Sequence, residues 1–593
     1  MEKERQRLIQ ENEEIFETLS EKRTVEEARD ALMQYVLTYE VKILNTLAYS
    51  NPMERSIAKK CVGTLKNVIS KRSEQLTEYS AVEAIWKLSK GEQAEVTRAF
   101  TTDLLHLFLG MKGETGLYSR PHNTGHDRQM DSRTISKERS NILDDIAAQV
   151  LTKISTYQTG MDQAVIEKRH RNKERIKAHY NATEEEWNDW KWQCRKVIRD
   201  AQAAEAIISL TAEEKAAITL AKEQNIPFGI TPYYAMLMDE ETHRIHDHAV
   251  RAQVIPPMQY VEYMTRVSGK DISELDFMGE HDTSPEDLVT RRYPLISIFK
   301  PNNTCSQICV YCQRNWEIDD VLAEGAQAPK VKLERALEWY RNHPNIREIL
   351  VTGGDPAIMS DQVFKGILDQ ISQLEQIQRI RIGTRIPAVM PMRVTDSFAD
   401  LLASYHIPGK REVCVVTHFE HVYEVTPEAM EAVQKLRQRK IPVYNQGVFT
   451  MENARKFEMV ALRRLLRLIG VDPYYTFNTK GKEETWHYRV PIARLMQEQA
   501  EEARLTPGLE RTDEAVFNIP RLGKNYLRAG QDHEVIMILP TGERVYEFYP
   551  WDSSEQQDNH PYIQVDIAIQ EFLDRIEAKG ENIEDYRSIW YYL

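Results

Sequence analysis

The sequence predicts an α/β fold built around an incomplete parallel (β/α)6 barrel, with a helical region before it and a β-hairpin with a helix after it. From residue 290 onward, short runs rich in β-forming residues alternate with amphipathic helical segments, as in parallel βα units. Before that point, apolar residues recur at helical spacing among charged ones. The predicted strands are residues 295–299, 348–352, 380–384, 412–418, 443–449 and 472–477.

The chain divides by pattern into four segments. Residues 1–175 form a helical N-terminal extension rich in Glu, Lys, Arg and Leu, and residues 176–289 form a helical lead-in. Residues 290–500 hold the predicted barrel. In residues 501–593, the runs 534–539 and 544–549 flank a Pro-Thr-Gly-Glu turn and predict a hairpin, with an amphipathic helix over 565–578.

Composition excludes several classes of protein. The formal net charge of -14 argues against a nucleic-acid partner, because phosphate contacts need concentrated positive charge. No apolar run approaches the roughly 20 residues that a membrane-spanning helix needs, so no membrane partner is expected. The polar N-terminus does not resemble a signal peptide, and six cysteines in 593 residues suit a reducing compartment. The expected location is therefore cytoplasmic.

Half of the cysteines lie in one short segment, at Cys305, Cys309 and Cys312. Three thiolates without a fourth can hold an iron-sulfur cluster while one iron stays open to an external ligand. A structural zinc site is the alternative, but such sites usually have four protein ligands, and the nearest other cysteine, Cys414, is isolated. The spacing therefore predicts an iron-sulfur cluster and redox chemistry at iron.

Further motifs follow one another in an order that matches a known family. Over residues 181–550 the sequence resembles the radical S-adenosylmethionine 2,3-aminomutases, whose type member acts on lysine. Besides the cysteines, the matching motifs are E-W-N-D-W-K-W-Q from Glu186, I-T-P-Y-Y from Ile230, R-R-Y-P from Arg291, V-T-G-G-D-P from Val351, R-I-G-T-R-I-P from Arg381, T-H-F-E-H from Thr417, N-Q-G-V from Asn445 and D-P-Y-Y from Asp472.

The resemblance implies two cofactors at the cysteines. Cys305, Cys309 and Cys312 would hold a 4Fe-4S cluster, with S-adenosylmethionine on its open iron. The further residues expected to contact S-adenosylmethionine are Tyr311 near the adenine, Gly353, Gly354 and Asp355 near the methionine end, and His418 and Gln446 at the ends of later strands.

A third cofactor, pyridoxal 5'-phosphate (PLP), is implied by the motif F-N-I-P-R-L-G-K. Its last residue, Lys524, is predicted to lie in a loop before the hairpin. It corresponds to the family's catalytic lysine, which binds PLP covalently. Arg292 matches an arginine that contacts the PLP phosphate. Ile296 stands where a second such arginine is expected, so the phosphate contacts must differ in detail.

Three residues carry the prediction of substrate. Arg314 matches the arginine that binds the substrate α-carboxylate, a group that suits a guanidinium fork. Lys480 and Asn518 stand where lysine-specific members carry two aspartates for the distal ammonium. A cation and an amide favour a distal carboxylate, as in the glutamate branch of the family. The alternative is that Lys480 points outward and the alignment slips toward Lys482.

The sequence thus predicts a 2,3-aminomutase that interconverts L-glutamate and β-glutamate. An external one-electron donor of the flavodoxin or ferredoxin type and a homo-oligomeric state are expected with it. One alternative is an aminomutase acting on lysine, arginine or aspartate. Another is a radical S-adenosylmethionine enzyme that modifies a residue on a macromolecular partner, with residues 1–175 as a docking module.

Overall fold

The structure is a computed structural model, and it describes residues 2–45, 52–117, 131–241, 244–267, 275–479, 482–519, 523–526, 533–548 and 562–593. Side chains at positions 2, 52, 504, 518–519 and 523–526 lie outside the described part. The chain forms two compact units, which interleave along the sequence. One contains residues 1–151, 489–505 and 524–593, and the other contains residues 152–488 and 506–523.

The described helices are named in chain order. They are α1 Glu2–Glu11, α2 Glu13–Ser20, α3 Val25–Leu44, α4 Pro52–Ile69, α5 Lys71–Thr77, α6 Ala81–Ser89, α7 Arg98–Lys112, α8 Ser132–Ser155, α9 Gln163–Tyr180, α10 Glu184–Asn188, α11 Trp190–Arg195, α12 Ala201–Glu205, α13 Ala212–Glu223, α14 Pro232–Met236, α15 His248–Ala252, α16 Met258–Val267, α17 Lys330–Arg341, α18 Asp361–Ser372, α19 Ile386–Val389, α20 Asp396–Ser404, α21 Pro427–Gln438, α22 Glu458–Ile469, α23 Ile492–Leu505 and α24 Ile569–Ala578.

The described strands are named in the same way. They are β1 Val289–Thr290, β2 Ile296–Asn302, β3 Glu348–Gly353, β4 Arg379–Gly383, β5 Glu412–Thr417, β6 Val443–Phe449, β7 Asp472–Asn478, β8 Glu514–Ile519, β9 Gly523–Tyr526, β10 His533–Ile538, β11 Arg544–Phe548 and β12 Tyr562–Val565.

The unit containing residues 152–488 is built on a largely parallel sheet. Strands β2 to β8 lie side by side in chain order, and every pair of neighbours among them is parallel. Helices separate most of these strands along the chain, so the predicted α/β class is confirmed. The runs predicted from sequence coincide with β2 to β7 in position and order. The closure of this sheet into a barrel stays a prediction.

The two faces of β2 differ in what they contact. Ser297 and Phe299 face α17, where the Ser297 hydroxyl lies 2.9 Å from the hydroxyl of Tyr340 and the Phe299 ring packs edge-on against the Tyr340 ring at 6.0 Å. Successive side chains of a strand point to opposite faces, so Ile298 and Lys300 lie on the face away from α17. We call this face the inner face of β2. Its Lys300 forms ion pairs with two glutamates, Glu280 and Glu317.

The carboxyl ends of β2 and β3 are joined by close backbone contacts. Their parallel register shifts after Phe299. Beyond the shift, the Gly354 N–H donates to the Asn302 carbonyl at 2.8 Å and the Asp355 N–H donates to the Thr304 carbonyl at 2.9 Å. A Cβ on Gly354 would lie 2.2 Å from the Thr304 carbonyl oxygen, which only a glycine avoids. The first residues after β2 are therefore fixed to the end of β3.

The other unit combines both ends of the chain. Helices α1 to α7 belong to it, together with the antiparallel sheet of β10, β11 and β12. Asp103 on α7 accepts two hydrogen bonds of 2.9 Å from Arg544 on β11, and both side chains are buried. Removing one partner of such a buried pair typically costs about 3 to 5 kcal/mol. The N-terminal helices and the C-terminal strands therefore share one core.

Within the described ranges, none of the helices is both long enough and apolar enough to cross a bilayer.

Replacement of Gly354 tests the junction between β2 and β3. We expect Gly354→Ala to displace the segment after Thr304, because the new methyl group would overlap a backbone oxygen. The measurement is iron and sulfide bound per chain after anaerobic reconstitution, and we expect a loss of more than half. Gly366→Ala on α18 is the matched control, since no heavy atom lies within 4 Å of its added Cβ. Normal cluster content in Gly354→Ala would refute this role.

Candidate cofactor and substrate site

We call residues 305–312 the cysteine segment. It begins three residues after the end of β2, at the carboxyl edge of the sheet where parallel α/β folds place their ligands. Cys305, Cys309 and Cys312 are all partly buried there. The helical lead-in holds this segment through its backbone. The Ile308 N–H donates to the Gly229 carbonyl at 3.0 Å, and the Val310 N–H donates to the Gln253 carbonyl at 2.7 Å.

The three thiols suit a cluster better than a single ion. Burial raises the pKa of Cys305 well above its usual value, and Asp355, Cys312 and Cys309 raise it further. The three sulfur atoms do not all lie within 4.8 Å of one another, as the ligand atoms of a single metal ion would. Bound iron favours the thiolate form, which offsets the cost of burial. This donor set fits a 4Fe-4S cluster with one open iron.

Arg385 contacts the cysteine segment and was not assigned a role from sequence. Its Nη1 donates to the Cys309 sulfur at 2.9 Å and its Nη2 donates to Glu424 at 2.7 Å. Glu424 also accepts hydrogen bonds from the Tyr234 hydroxyl at 2.5 Å and the Gln253 amide at 2.8 Å. A buried cation that donates to a cluster ligand helps to set the reduction potential. The motif containing Arg385 was visible in the sequence, but its partners were not.

Asp355 joins the end of β3 to the end of β4. Its carboxylate accepts from the Thr384 hydroxyl at 2.7 Å, the Ala357 N–H at 3.0 Å and the Arg385 N–H at 2.9 Å. Burial raises the pKa of this carboxyl above its usual value, while these hydrogen bonds oppose the increase. Asp355 therefore positions the backbone of Arg385. Its expected contact with the ammonium of S-adenosylmethionine stays a prediction, as do those of Gly353 and Gly354.

The other residues expected to contact S-adenosylmethionine lie on neighbouring elements. The Tyr311 ring packs edge-on against Tyr488 at 5.0 Å, and burial raises its pKa well above the usual value. His418 follows β5 and is partly exposed, and its carbonyl accepts from Arg385 Nε at 3.2 Å. Gln446 lies on β6 opposite Tyr475 of β7. His418 is thus linked to the cysteine segment through Arg385.

Arg314 lies among two glutamates and a lysine. Its Nη2 is 3.1 Å from Glu280 and its Nη1 is 3.4 Å from Glu317. Lys300, on the inner face of β2, lies 2.5 Å from Glu317 and 3.5 Å from Glu280. We call Glu280, Lys300, Arg314 and Glu317 the charge quartet. The Arg314 N–H also donates to the Cys312 sulfur at 3.3 Å, so the quartet adjoins the cysteine segment.

Of the residues expected to bind PLP and the distal end of the substrate, the structure describes the side chain of Arg292. Arg292 Nη2 donates to the Met278 carbonyl and to the Thr283 hydroxyl. Lys480 lies outside the described residues, and so do the side chains of Asn518 on β8 and Lys524. The backbone of Lys524 belongs to β9, whereas the sequence predicted a loop there. The proline and glycine before Lys524 favoured the loop interpretation.

Lys482 is the residue toward which the alignment at Lys480 could slip, and the structure describes its side-chain contacts. Its ammonium donates to the Cys312 carbonyl at 3.0 Å and to Asn315 at 2.6 Å, and it pairs with Glu484 at 2.7 Å. The side chain is buried. Lys482 therefore holds the end of the cysteine segment to the residues after β7.

A second group of possible metal ligands consists of His248, His421 and Glu458. The side chains of this group already form hydrogen bonds with protein atoms. The Nδ1 of His421 accepts from the Tyr423 N–H at 3.1 Å, which leaves Nε2 to donate to Glu458 at 2.9 Å. Arg455 pairs with the same carboxylate. A guanidinium in contact with the only anionic ligand disfavours a metal cation, so this group is a buried polar network.

Comparison with known proteins identifies the family, although no family model matches the chain. An uncharacterised KamA family protein of Methanocaldococcus jannaschii is 42% identical over 600 residues, covering 98% of this chain and 96% of that protein. Glutamate 2,3-aminomutase of Clostridioides difficile is 33% identical over 366 residues, covering 60% of this chain and 81% of that enzyme. L-lysine 2,3-aminomutase of Bacillus subtilis is 34% identical over 315 residues, covering 53% of this chain and 63% of that enzyme.

Among solved structures, SuiB of Streptococcus suis matches with a TM-score of 0.28 and 13% identity over 48% of this chain and 54% of that one. That likeness is too low to bear on fold or function. The nearly full-length match to the Methanocaldococcus protein, with the cysteine segment in place, shows that the chain belongs to the KamA family of radical S-adenosylmethionine isomerases, whose cofactors are a 4Fe-4S cluster, S-adenosylmethionine and PLP.

Proposed function

We propose that this chain is a 2,3-aminomutase that interconverts L-glutamate and β-glutamate by moving the amino group between C2 and C3. Relatives that act on glutamate and on lysine both support aminomutase chemistry, and their identities of 33% and 34% do not separate the two substrates. The observation that carries the choice is the residue set: Arg314 is kept, while Lys480 and Asn518 replace two anions.

When bound, the cluster and S-adenosylmethionine supply a radical that removes hydrogen from carbon, and PLP delocalises the unpaired electron. The chain contributes the binding groups. Cys305, Cys309 and Cys312 hold the cluster, and Lys524 anchors PLP. An external one-electron donor of the flavodoxin or ferredoxin type reduces the cluster.

Charge selects the substrate in this account. Arg314 binds the α-carboxylate through a guanidinium fork, and Lys480 with Asn518 binds the distal carboxylate. A lysine substrate would bring its ammonium close to Lys480 in a poorly solvated pocket. Like charges in such a position cost several kcal/mol, so lysine is disfavoured relative to glutamate.

A panel of amino acids tests the proposed substrate. We expect the reconstituted protein, supplied anaerobically with S-adenosylmethionine, PLP and reductant, to convert L-glutamate to β-glutamate. Liquid chromatography that separates α- from β-amino acids would detect the β-glutamate, with lysine, arginine and aspartate assayed in parallel. Turnover of lysine without glutamate would refute the substrate. A stable complex with a protein or RNA, with none of the four amino acids converted, would favour modification of a macromolecule.

The pocket is tested by Lys480→Asp. We expect kcat/KM for glutamate to fall by about a hundredfold, because an anion would then meet the distal carboxylate. The ratio of lysine to glutamate turnover should rise. Lys410→Asp is the control, since this exposed lysine precedes β5 at the opposite edge of the sheet. Equal loss in both variants, or no change in Lys480→Asp, would contradict the pocket assignment.

A further inference from the structure

The inner face of β2 borders a cavity of about 340 Å³ in the unit that contains the cysteine segment. The residues lining it include Glu280, Glu286, Asp287 and Glu317. Lys300 is the only lysine or arginine among the described lining residues. Glu286 pairs with Arg335 at 2.8 Å and Asp287 pairs with Lys332 at 3.2 Å, so Glu280 and Glu317 are the two lining carboxylates that Lys300 contacts.

Within the charge quartet, two cations face these two carboxylates. Arg314 contacts two carboxylates, Glu280 and Glu317, so these three groups carry a net charge of about -1 without Lys300. Lys300 contacts the same two carboxylates through their other oxygens, Oε2 of Glu280 and Oε1 of Glu317. The four groups together are neutral.

Glu280 depends on Lys300 in particular. Its side chain is 3% exposed, and its Oε2 has no hydrogen bond to the described residues. The ammonium of Lys300, 3.5 Å away, is the cation at that oxygen. A buried carboxylate oxygen deprived of its cation is costly, and the nearest remaining cation would be Arg314.

We propose that Lys300 is a specificity-determining residue that keeps Arg314 available for the substrate α-carboxylate. The incoming carboxylate competes with Glu280 and Glu317 for the N–H groups of the guanidinium. With Lys300 in place, each displaced glutamate retains a cation. Without Lys300, both glutamates would bind Arg314 more tightly and exclude the substrate. This inference rests on the proposed function, because it assumes that Arg314 binds an amino acid carboxylate.

Charge balance makes the inference testable by a compensating pair of substitutions. In Lys300→Met we expect KM for the amino acid substrate to rise at least about tenfold, the scale of losing one partner of a buried charge pair, with kcat changed less than about threefold. Adding Glu317→Gln restores neutrality, so Lys300→Met/Glu317→Gln should return KM to within about threefold of the unsubstituted protein. Lys365→Met, which alters an exposed pair with Asp369 on α18, is the matched control and should leave KM unchanged.

Iron content and melting temperature of each variant would be measured alongside the kinetics. In Lys300→Met we expect iron content to stay unchanged and the melting temperature to fall, because the buried Glu280 loses a cation. An unchanged KM in Lys300→Met, or a double variant as impaired as the single one, would overturn the role of Lys300 while leaving the proposed function intact. Loss of cluster and of kcat together would overturn it in favour of a structural role. Failure of the unsubstituted protein to convert any amino acid would overturn both.

Discussion

The hydrogen-bonded junction between the carboxyl ends of β2 and β3 is the constraint on which the site depends. Gly354 and Asp355 donate their N–H groups to the carbonyls of Asn302 and Thr304, and the cysteine segment starts one residue later. Asp355 then carries the connection to Arg385, which donates to the Cys309 sulfur. A short series of contacts thus runs from paired backbone to the sulfur of Cys309, one of the three cysteines expected to hold the cluster.

Buried charge is balanced in two places around the cysteine segment. On one side, Arg385 is paired with Glu424 and held near Cys309. On the other, Arg314 and Lys300 are matched by two glutamates. Both sets reach the cysteine segment, because Arg385 donates to the Cys309 sulfur and the Arg314 N–H donates to the Cys312 sulfur. The arginines nearest the thiols are therefore each paired with at least one carboxylate.

Local pattern predicted the elements of the sheet well, because strands β2 to β7 each combine β-forming residues with flanking helical periodicity. Strand β8 was not predicted, and β9 was predicted as a loop, since Pro520 and Gly523 before Lys524 favoured one. Arg385 and Lys300 were also missed, because their partners lie far away in sequence. One signal for Lys300 was available: it follows Ile296 and Ile298 at alternate positions, which places these three side chains on one face of the strand. The shared core formed by Asp103 and Arg544 is equally long-range and could not be read from composition.

The central claim is that the amino group of glutamate moves from C2 to C3 at this site. Carbon-13 NMR of the reconstituted protein supplied with L-glutamate labelled at C3 tests it most directly. The account predicts that the labelled carbon becomes the amine-bearing carbon of β-glutamate, with its resonance growing as that of glutamate declines. A spectrum in which labelled glutamate stays unchanged while lysine labelled at the same position is converted would contradict the account.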